Sequence, residues 1–439
     1  MSGKEKGVAS LILKENPLAI YVHCYAHKLN LAIQSSMNIP ELTLVITQMG
    51  KIINFFNSSP NRSRLLSTVI ERDETQPIRR KKILISFCAT RWSQRDETFQ
   101  HFQGSYLYIV KALRIILNLL KSPIDGLAFD ANTMADALNF LNTLESSSFN
   151  IGFHTILKYF SPLAAPTADL QGKAQDILSA HMGMKSVIHD FENIRKNVNS
   201  SFNQVWNHSS RLADALGVEL DKPRVSKKSV YRSNVGHADD SPEVYYRNSL
   251  CIPLLDKIIN QLNSRFTNPD SVSKFLYMIP ALMITKTFEE TKEMVTDLGE
   301  KYSADIQNTF LLEAEVEIFY NSLAVWPEES IPTTIAATLK AIDDKKFPNL
   351  YTLMKICGTL PVSSCECERS FSCMRRLKTW QRASMCDDRF SNLALMNIHR
   401  EVLENLEPTK VLKAFIESNP RKIELNIIKR FRVIFILMC

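Results

Sequence analysis

Apolar residues recur at every third or fourth position through most of the chain, which is the spacing of one face of an α-helix. Between residues 99 and 198 this spacing is almost unbroken, and Tyr106, Leu113 and Ile116 fall on one side of a predicted helix. Helical spacing resumes from residue 245 to residue 326. Stripes of this kind belong to buried cores more often than to binding grooves. The pattern therefore predicts a mainly α protein whose helices bury one another.

The first residues combine helical spacing with one short apolar run. Residues 6–14 and 25–36 have the spacing of two helices, and the run over residues 19–23 predicts a short buried strand between them. Cys24 and His27 lie where the strand meets the second helix, and their residue types could bind zinc. Because no further ligands cluster nearby, we favour a packing and hydrogen-bonding role for this pair and predict no metal site.

Two polar stretches interrupt the helical pattern. Residues 217–243 are charged, have almost no apolar periodicity and predict a basic linker. This linker contains Arg224 and Arg232, and a basic loop can contact DNA phosphates, although a solvated loop is the alternative. Residues 79–82 are four consecutive basic residues, which we expect to be solvated.

Residues 360–400 predict a pair of helices near the C-terminus. Ser363 and Glu366 have the spacing of a capping box, in which two side chains satisfy free amide groups of a first helical turn. Phe371 and Leu377 follow at helical spacing, and a second apolar stripe comes after a polar break. The pair could pack into its own domain or meet a partner helix, and periodicity leaves both alternatives open.

Composition places the chain among ordinary globular proteins. Of 439 residues, 45% are hydrophobic and 23% charged, so the chain can bury a sizeable core and could hold two or three domains. The net charge of +7 permits a nucleic-acid partner without requiring one. Nine cysteines without a signal peptide favour a reducing compartment. No apolar run is long enough to span a membrane, and the apolar stretch at residues 433–438 is read as an extension or an edge strand.

Three stretches of the sequence resemble the hAT transposase superfamily. Residues 360–400, with LPVSSCECERSFS, RRLKT and RFSNLALMNIHR, resemble the C-terminal dimerisation region of that family. Residues 1–36 resemble the segment that follows the second catalytic aspartate, and FFNSSPNR at residues 55–62 is also a block typical of these proteins. The resemblance is to hAT-derived proteins of the zinc-finger MYM and protein-kinase-inhibitor-repressor types.

The resemblance implies a mainly α chain that keeps a remnant of an RNase H-like α/β domain, interrupted by a large all-helical insertion. It divides the chain into an RNase H-like remnant (1–60), the helical insertion with its basic linker near 217–243 (61–345), the dimerisation region (346–415) and a tail (416–439). The residues that it assigns to dimerisation are Phe371, Leu377, Phe390, Leu393, Leu395, Met396 and Ile398.

The resemblance also implies that the catalytic site is incomplete. Transposases of this class hold two divalent metal ions with three acidic residues, and Glu368 corresponds to the third. Cys367 stands where the family has a serine, and the two aspartates would lie before the turn formed by Met1, Ser2 and Gly3. One carboxylate cannot hold two Mg²⁺ ions. We therefore expect a chain truncated within the catalytic domain, a vestigial Glu368, no cofactor and no enzymatic activity.

Trp92 and its neighbour Arg91 carry one further implication. In active hAT enzymes the corresponding tryptophan is implicated in handling a flipped base, and a tryptophan face can stack on any exposed base. The alternative, which we favour, is a buried anchor at the start of the helical insertion.

These observations lead to three readings of function. The first is a domesticated or decaying hAT transposase fragment, catalytically inactive, that forms a homodimer or a heterodimer with related hAT-derived proteins. The alternative is a DNA-binding protein or transposase-associated factor in DNA transposition, with weak DNA contacts at Arg91, Trp92, Arg224 and Arg232. The third is a product without selected function. The resemblance favours the nucleus over the cytoplasm, and no membrane partner is expected.

Overall fold

A computed structural model describes residues 7–72, 84–86, 92–172, 177–223, 241–266, 271–361 and 363–418. All regular secondary structure in these ranges is helical, which confirms the mainly α prediction. The chain divides into two compact units, Met1–Ser363 and Ser364–Cys439.

The first half of the first unit is built from helices that bury aromatic and aliphatic side chains. Its helices are α1 (Val8–Glu15), α2 (Tyr25–Ser36), α3 (Pro40–Asn57), α4 (Pro60–Glu71), α5 (Trp92–Ile116), α6 (Ala131–Glu145), α7 (Ser147–Phe160), α8 (Ala164–Asp169), α9 (Ile177–Lys196), α10 (Val198–Leu216), α11 (Pro242–Tyr246) and α12 (Ile252–Phe266), with a π-helical turn at Arg247–Cys251 before α12.

Helix α7 is the most deeply buried of these helices. Every residue from Phe149 to Ile156 has less than a tenth of its surface exposed, and α7 packs against α3 and α10. Gly152 lies where α3 crosses, and a Cβ atom there would lie 2.9 Å from Cγ2 of Val45. The glycine therefore sets how closely the two helices approach.

Several of these helices start with a capping side chain, and α4 and α6 are two examples. Ser59 accepts a hydrogen bond from the amide of Arg62, with Pro60 in the first turn of α4. Asp130 accepts one from the amide of Thr133 at the start of α6. A proline loses no hydrogen bond in a first turn, and a capping side chain satisfies a free amide group. Sequence therefore fixes these boundaries locally.

The FFNSSPNR block forms the turn between α3 and α4. The Arg62 guanidinium lies over the Phe55 ring at 4.2 Å, donates to the Phe55 carbonyl at 2.7 Å and reaches the Thr133 hydroxyl of α6 at 3.3 Å. The Asn57 amide donates to the Leu84 carbonyl at 2.8 Å. The block therefore has a structural role, since its polar side chains join α3, α4 and α6.

The second half of the first unit has its own hydrophobic core. Its helices are α13 (Ser271–Leu276), α14 (Pro280–Met283), α15 (Phe288–Lys301), α16 (Thr309–Leu323), α17 (Ile335–Ala341) and α18 (Pro348–Gly358). Phe275, Phe319 and Leu353 are among its fully buried side chains, and Ile20 and Val22 pack against it while half-buried.

The strand predicted at residues 19–23 is wrong. The segment is not helical, but no strand exists in the described ranges to pair with it. Tyr21 remains 47% exposed, and the Leu18 carbonyl accepts a hydrogen bond from the Tyr302 hydroxyl. A β-strand needs a neighbouring strand for its amide and carbonyl groups. Here the segment lies on a helical core through the side chains of Ile20 and Val22 instead.

The second unit contains α19 (Cys365–Leu377), α20 (Asp387–Ile398), α21 (Arg400–Glu404) and α22 (Pro408–Ser418), with a 3₁₀ turn at Trp380–Arg382. The capping box predicted from Ser363 and Glu366 is wrong, because α19 begins one residue later than that box requires. The residue before the helix is Ser364, and its hydroxyl lies 3.4 Å from the Glu368 carboxylate instead of capping an amide group.

Candidate dimerisation surface

Helices α19 and α20 pack as a hairpin within the second unit. The Cys373 thiol of α19 donates to the side-chain oxygen of Asn397 in α20 at 3.1 Å. The Lys378 ammonium lies 5.4 Å from the centre of the Phe390 ring, and 3.8 Å from the Asp387 carboxylate. This last ion pair is exposed and contributes little to stability. Packing along the hairpin is therefore its main support.

The charges at the inner ends of the two helices suit their helix dipoles. Arg375 and Arg376 lie in the last turn of α19, and Asp387 and Asp388 lie in the first turn of α20. Cations are favourable at a helix C-terminus and anions at an N-terminus. These charged side chains therefore stabilise α19 and α20 through their own helix dipoles.

The described part of the second unit buries very little. Only Cys365, Cys373 and Ala394 are classed as buried among its described side chains. Phe371 is 65% exposed and Trp380 is 85% exposed. Apolar burial is the main stabilising contribution in folding. With so few buried residues, the described part of the second unit leaves much of its apolar surface available to a partner.

The seven residues assigned to dimerisation fall into two groups. Four are half-buried in the hairpin and three are exposed. Phe371, Leu395 and Met396 are the exposed ones, the last two at 55% and 43%. The half-buried ones are Leu377, Phe390, Leu393 and Ile398. The hairpin therefore partly covers one group and leaves the other open to a partner.

Helices α21 and α22 add an apolar groove that the sequence interpretation missed. Within α22, Pro408, Val411, Leu412 and Phe415 have the i, i+3, i+4, i+7 spacing of one helix face, so periodicity alone could have identified this part of the groove. All of the described residues from 401 to 415 are exposed. The groove is lined by Leu403, Leu406, Pro408, Val411, Leu412 and Phe415.

Glu368 lies on the exposed surface of α19, one turn after Ser364. Within the described ranges, no group of three or more histidine, cysteine or acidic side chains is arranged to hold a metal ion. Glu368 alone offers one carboxylate.

Cys24 and His27 lie at the start of α2. Cys24 is half-buried, and the His27 ring stacks on the His23 ring with centres 5.7 Å apart. Burial lowers the pKa of His23, and the nearby His27, Lys28 and Arg265 lower it further. A stacked pair of rings at the start of a helix is an arrangement suited to packing.

Trp92 is buried at the first position of α5. Its indole N–H donates to the Phe160 carbonyl at 2.9 Å, and its backbone N–H donates to the side-chain oxygen of Asn30 at 3.0 Å. The ring lies against Phe99 and Phe160. Only 2% of its surface is exposed, so its faces are not open to a base here. Arg91, Arg224, Arg232 and the basic cluster at 79–82 lie outside the described residues.

The comparisons with known proteins find a family match that includes the hairpin of α19 and α20. Residues 326–402 match the family described as the hAT family C-terminal dimerisation region. This confirms the resemblance drawn from the motifs. The match begins after α16 and ends in α21, so it covers parts of both compact units.

Two curated proteins are similar over most of the chain. The human 52 kDa repressor of the inhibitor of the protein kinase is 26% identical over 418 residues, which are 92% of this chain and 52% of that protein. The mouse protein of the same name is 25% identical over 414 residues, 92% of this chain and 53% of that protein. The chain thus spans about half the length of these relatives. Among the described helices, none combines the length and the apolar character needed to cross a membrane.

Proposed function

We propose that this chain is a domesticated protein derived from an hAT transposase, and that it acts by self-association through its second unit. The observation that carries the proposal is the exposed apolar surface of the second unit, in a region that overlaps the hAT dimerisation match. A remnant of an RNase H-like domain at residues 1–60 is part of the same proposal and rests on the motifs at residues 1–36.

The proposed interface uses Phe371, Leu395 and Met396, with the α21–α22 groove beside them in sequence. In a twofold dimer both subunits use the same patch, so each of the three residues becomes buried on both copies. Fully burying one large apolar side chain contributes roughly 1.5–3 kcal/mol. A few such residues on each copy can offset the entropy that association costs.

The test is co-purification of two copies of the full chain that carry different affinity tags. We expect the wild-type copies to purify together, and the double variant Leu395→Asp with Met396→Asp to purify alone. Asn392→Asp is the matched control, because it adds a charge at an exposed polar position of the same helix. Unchanged circular dichroism would show that the double variant is folded. Equal recovery of all three proteins would refute the proposed surface.

We further propose that the chain does not cleave DNA. The support is chemical: two-metal hydrolysis needs several carboxylates, and in the described ranges Glu368 belongs to no group of three or more metal-binding side chains. Hairpin or end-bearing DNA should remain intact with Mg²⁺ or Mn²⁺. Metal-dependent cleavage that Glu368→Gln abolishes would overturn this part of the proposal.

A second candidate function is DNA binding in the nucleus. Arg375, Arg376 and Arg382 are exposed on the second unit, and both named relatives are described as repressors. Phosphate contacts produce affinity that falls steeply with salt. A salt-dependent shift of duplex DNA, reduced by Arg375→Ser with Arg376→Ser, would favour this candidate. Salt-independent or absent binding would leave self-association as the function.

A further inference from the structure

Two histidines of the first unit line one cavity between α7 and α10. His154 of α7 is 7% exposed, His208 of α10 is exposed, and their ring centres are 6.3 Å apart. The cavity has a volume of about 260 Å³, and Gln103 of α5 also lines it. Two rings at this separation can share one bound ion after a small side-chain movement, since an imidazole nitrogen binds zinc at about 2 Å.

The hydrogen bonds fix which ring nitrogen carries the proton in each histidine. His154 Nδ1 lies 3.0 Å from the Asn150 carbonyl, and His208 Nδ1 lies 2.7 Å from the Gln204 carbonyl. A carbonyl oxygen can only accept a hydrogen bond, so Nδ1 must be the donor in both rings. In the neutral ring Nε2 then carries a free electron pair. Ser209 Oγ, at 3.1 Å from His154 Nδ1, gives the same N–H a second acceptor.

Metal-binding histidines have this same arrangement, in which one ring nitrogen donates to a backbone carbonyl while the other binds the ion. We infer that His154 and His208 form a site for a divalent transition-metal ion that joins α7 to α10. The site lies wholly in the first unit, so it is independent of the proposed self-association.

The lining residues indicate which ions the site selects. Imidazole nitrogens suit Zn²⁺, Ni²⁺ and Cu²⁺, whereas Mg²⁺ requires oxygen ligands. The Gln103 amide oxygen and water complete the coordination. Lys158 also lines the cavity, and its ammonium donates to the side-chain oxygen of Gln204 at 2.6 Å. With only two imidazole ligands, one neutral amide oxygen and a nearby positive charge, the site binds more weakly than a four-ligand structural zinc site.

The inference is tested by calorimetric titration of the full chain after removal of metal with EDTA. Exposed thiols are first alkylated, so that they do not bind the ion. Ni²⁺ and Zn²⁺ should each give a one-to-one isotherm with the wild type, and Mg²⁺ should give none. His208→Gln should weaken binding by at least about tenfold, because one of the two imidazole ligands is lost. His208 is exposed, so this replacement leaves the core intact.

His27→Gln is the control, because His23 and His27 form the other close pair of histidine rings in the described structure. It should leave the isotherm unchanged. Electron paramagnetic resonance of the Cu²⁺ complex should show coupling to two imidazole nitrogens in the wild type and one in His208→Gln. Equal affinities of wild type and His208→Gln, or loss of binding in His27→Gln alone, would overturn the inference.

Discussion

The buried carboxylate of Glu315 shows at the scale of one residue how a charge can stabilise a core. It accepts from the backbone N–H of Asn349 at 3.0 Å, from the Asn349 side-chain amide at 2.6 Å and from the Leu350 N–H at 2.9 Å. These amides belong to the first turn of α18 and have no partner within the helix. The negative charge also suits the N-terminus of the helix.

We predict that Glu315→Ala lowers the free energy of unfolding by about 2–4 kcal/mol, because it leaves buried donors without acceptors. The control is Glu317→Ala on the exposed side of α16, which should change the free energy by less than about 0.5 kcal/mol. Urea unfolding of the full chain measures both. Similar losses in the two variants would show that Glu315 is not a cap.

His154 should make stability depend on pH. Burial lowers its pKa to about 4, whereas an unfolded histidine titrates near 6.5. Between these values the unfolded chain binds a proton that the folded chain does not. The free energy of unfolding is therefore unaffected by His154 above pH 6.5. It falls as the pH drops towards 4, by up to about 3 kcal/mol.

Urea unfolding in EDTA between pH 7.5 and 4.5 measures this effect. The full chain should lose stability over this interval, and His154→Gln should reduce the slope. The exposed His189→Gln should retain the wild-type slope. A slope that is equal in all three proteins would contradict the assignment to His154.

Single residues also show where prediction from sequence ended. The motif at Trp92 left two roles open, stacking on a base and anchoring the core. The ring lies buried against Phe99 and Phe160, and this packing could not be predicted from the motif. His154 and His208 share no motif, because they are far apart in sequence. Their proximity depends on the register in which α7 packs on α10, and register is set by long-range packing.

At the scale of secondary-structure elements, helices were more predictable than the strand. A helix satisfies its own backbone hydrogen bonds, so periodicity and local caps such as Ser59 and Asp130 suffice to place it. The run at residues 19–23 depends on whatever packs beside it. In the second unit, periodicity identified α19 and α20 but could not separate the exposed Leu395 from the half-buried Leu393.

The contact between α3 and α7 gives a prediction for an element. A methyl group on Gly152 would lie 2.9 Å from Val45 Cγ2, which is too close for van der Waals contact. We predict that Gly152→Ala destabilises the chain by roughly 1–2 kcal/mol, because overpacking exceeds the gain in helix propensity.

The control is Gly50→Ala in α3, where nothing lies within 4 Å of the added methyl group. It should stabilise the chain by about 0.5–1 kcal/mol through helix propensity alone. Thermal unfolding compares the two variants. If both variants stabilised the chain, α3 and α7 could move apart without a loss of stability, which would contradict the prediction.

At the scale of the whole molecule, the boundary between the two compact units lies, along the sequence, within the region that matches the hAT dimerisation family. Helices α17 and α18 lie in the first unit, and part of their surface is core there, whereas α19 and α20 belong to the second unit. The sequence indicated the family region by its motifs. It could not show the division at Ser363, because compactness depends on contacts between distant residues.

The central claim is self-association through exposed apolar residues of the second unit, and sedimentation equilibrium tests it most directly. The account predicts that the full chain at micromolar concentration has twice the 50.1 kDa mass of one copy. Phe371→Asp with Leu395→Asp should give the mass of a single copy with unchanged helix content. A wild type that remains at 50.1 kDa over the micromolar range, or a double variant that stays dimeric, would contradict the account.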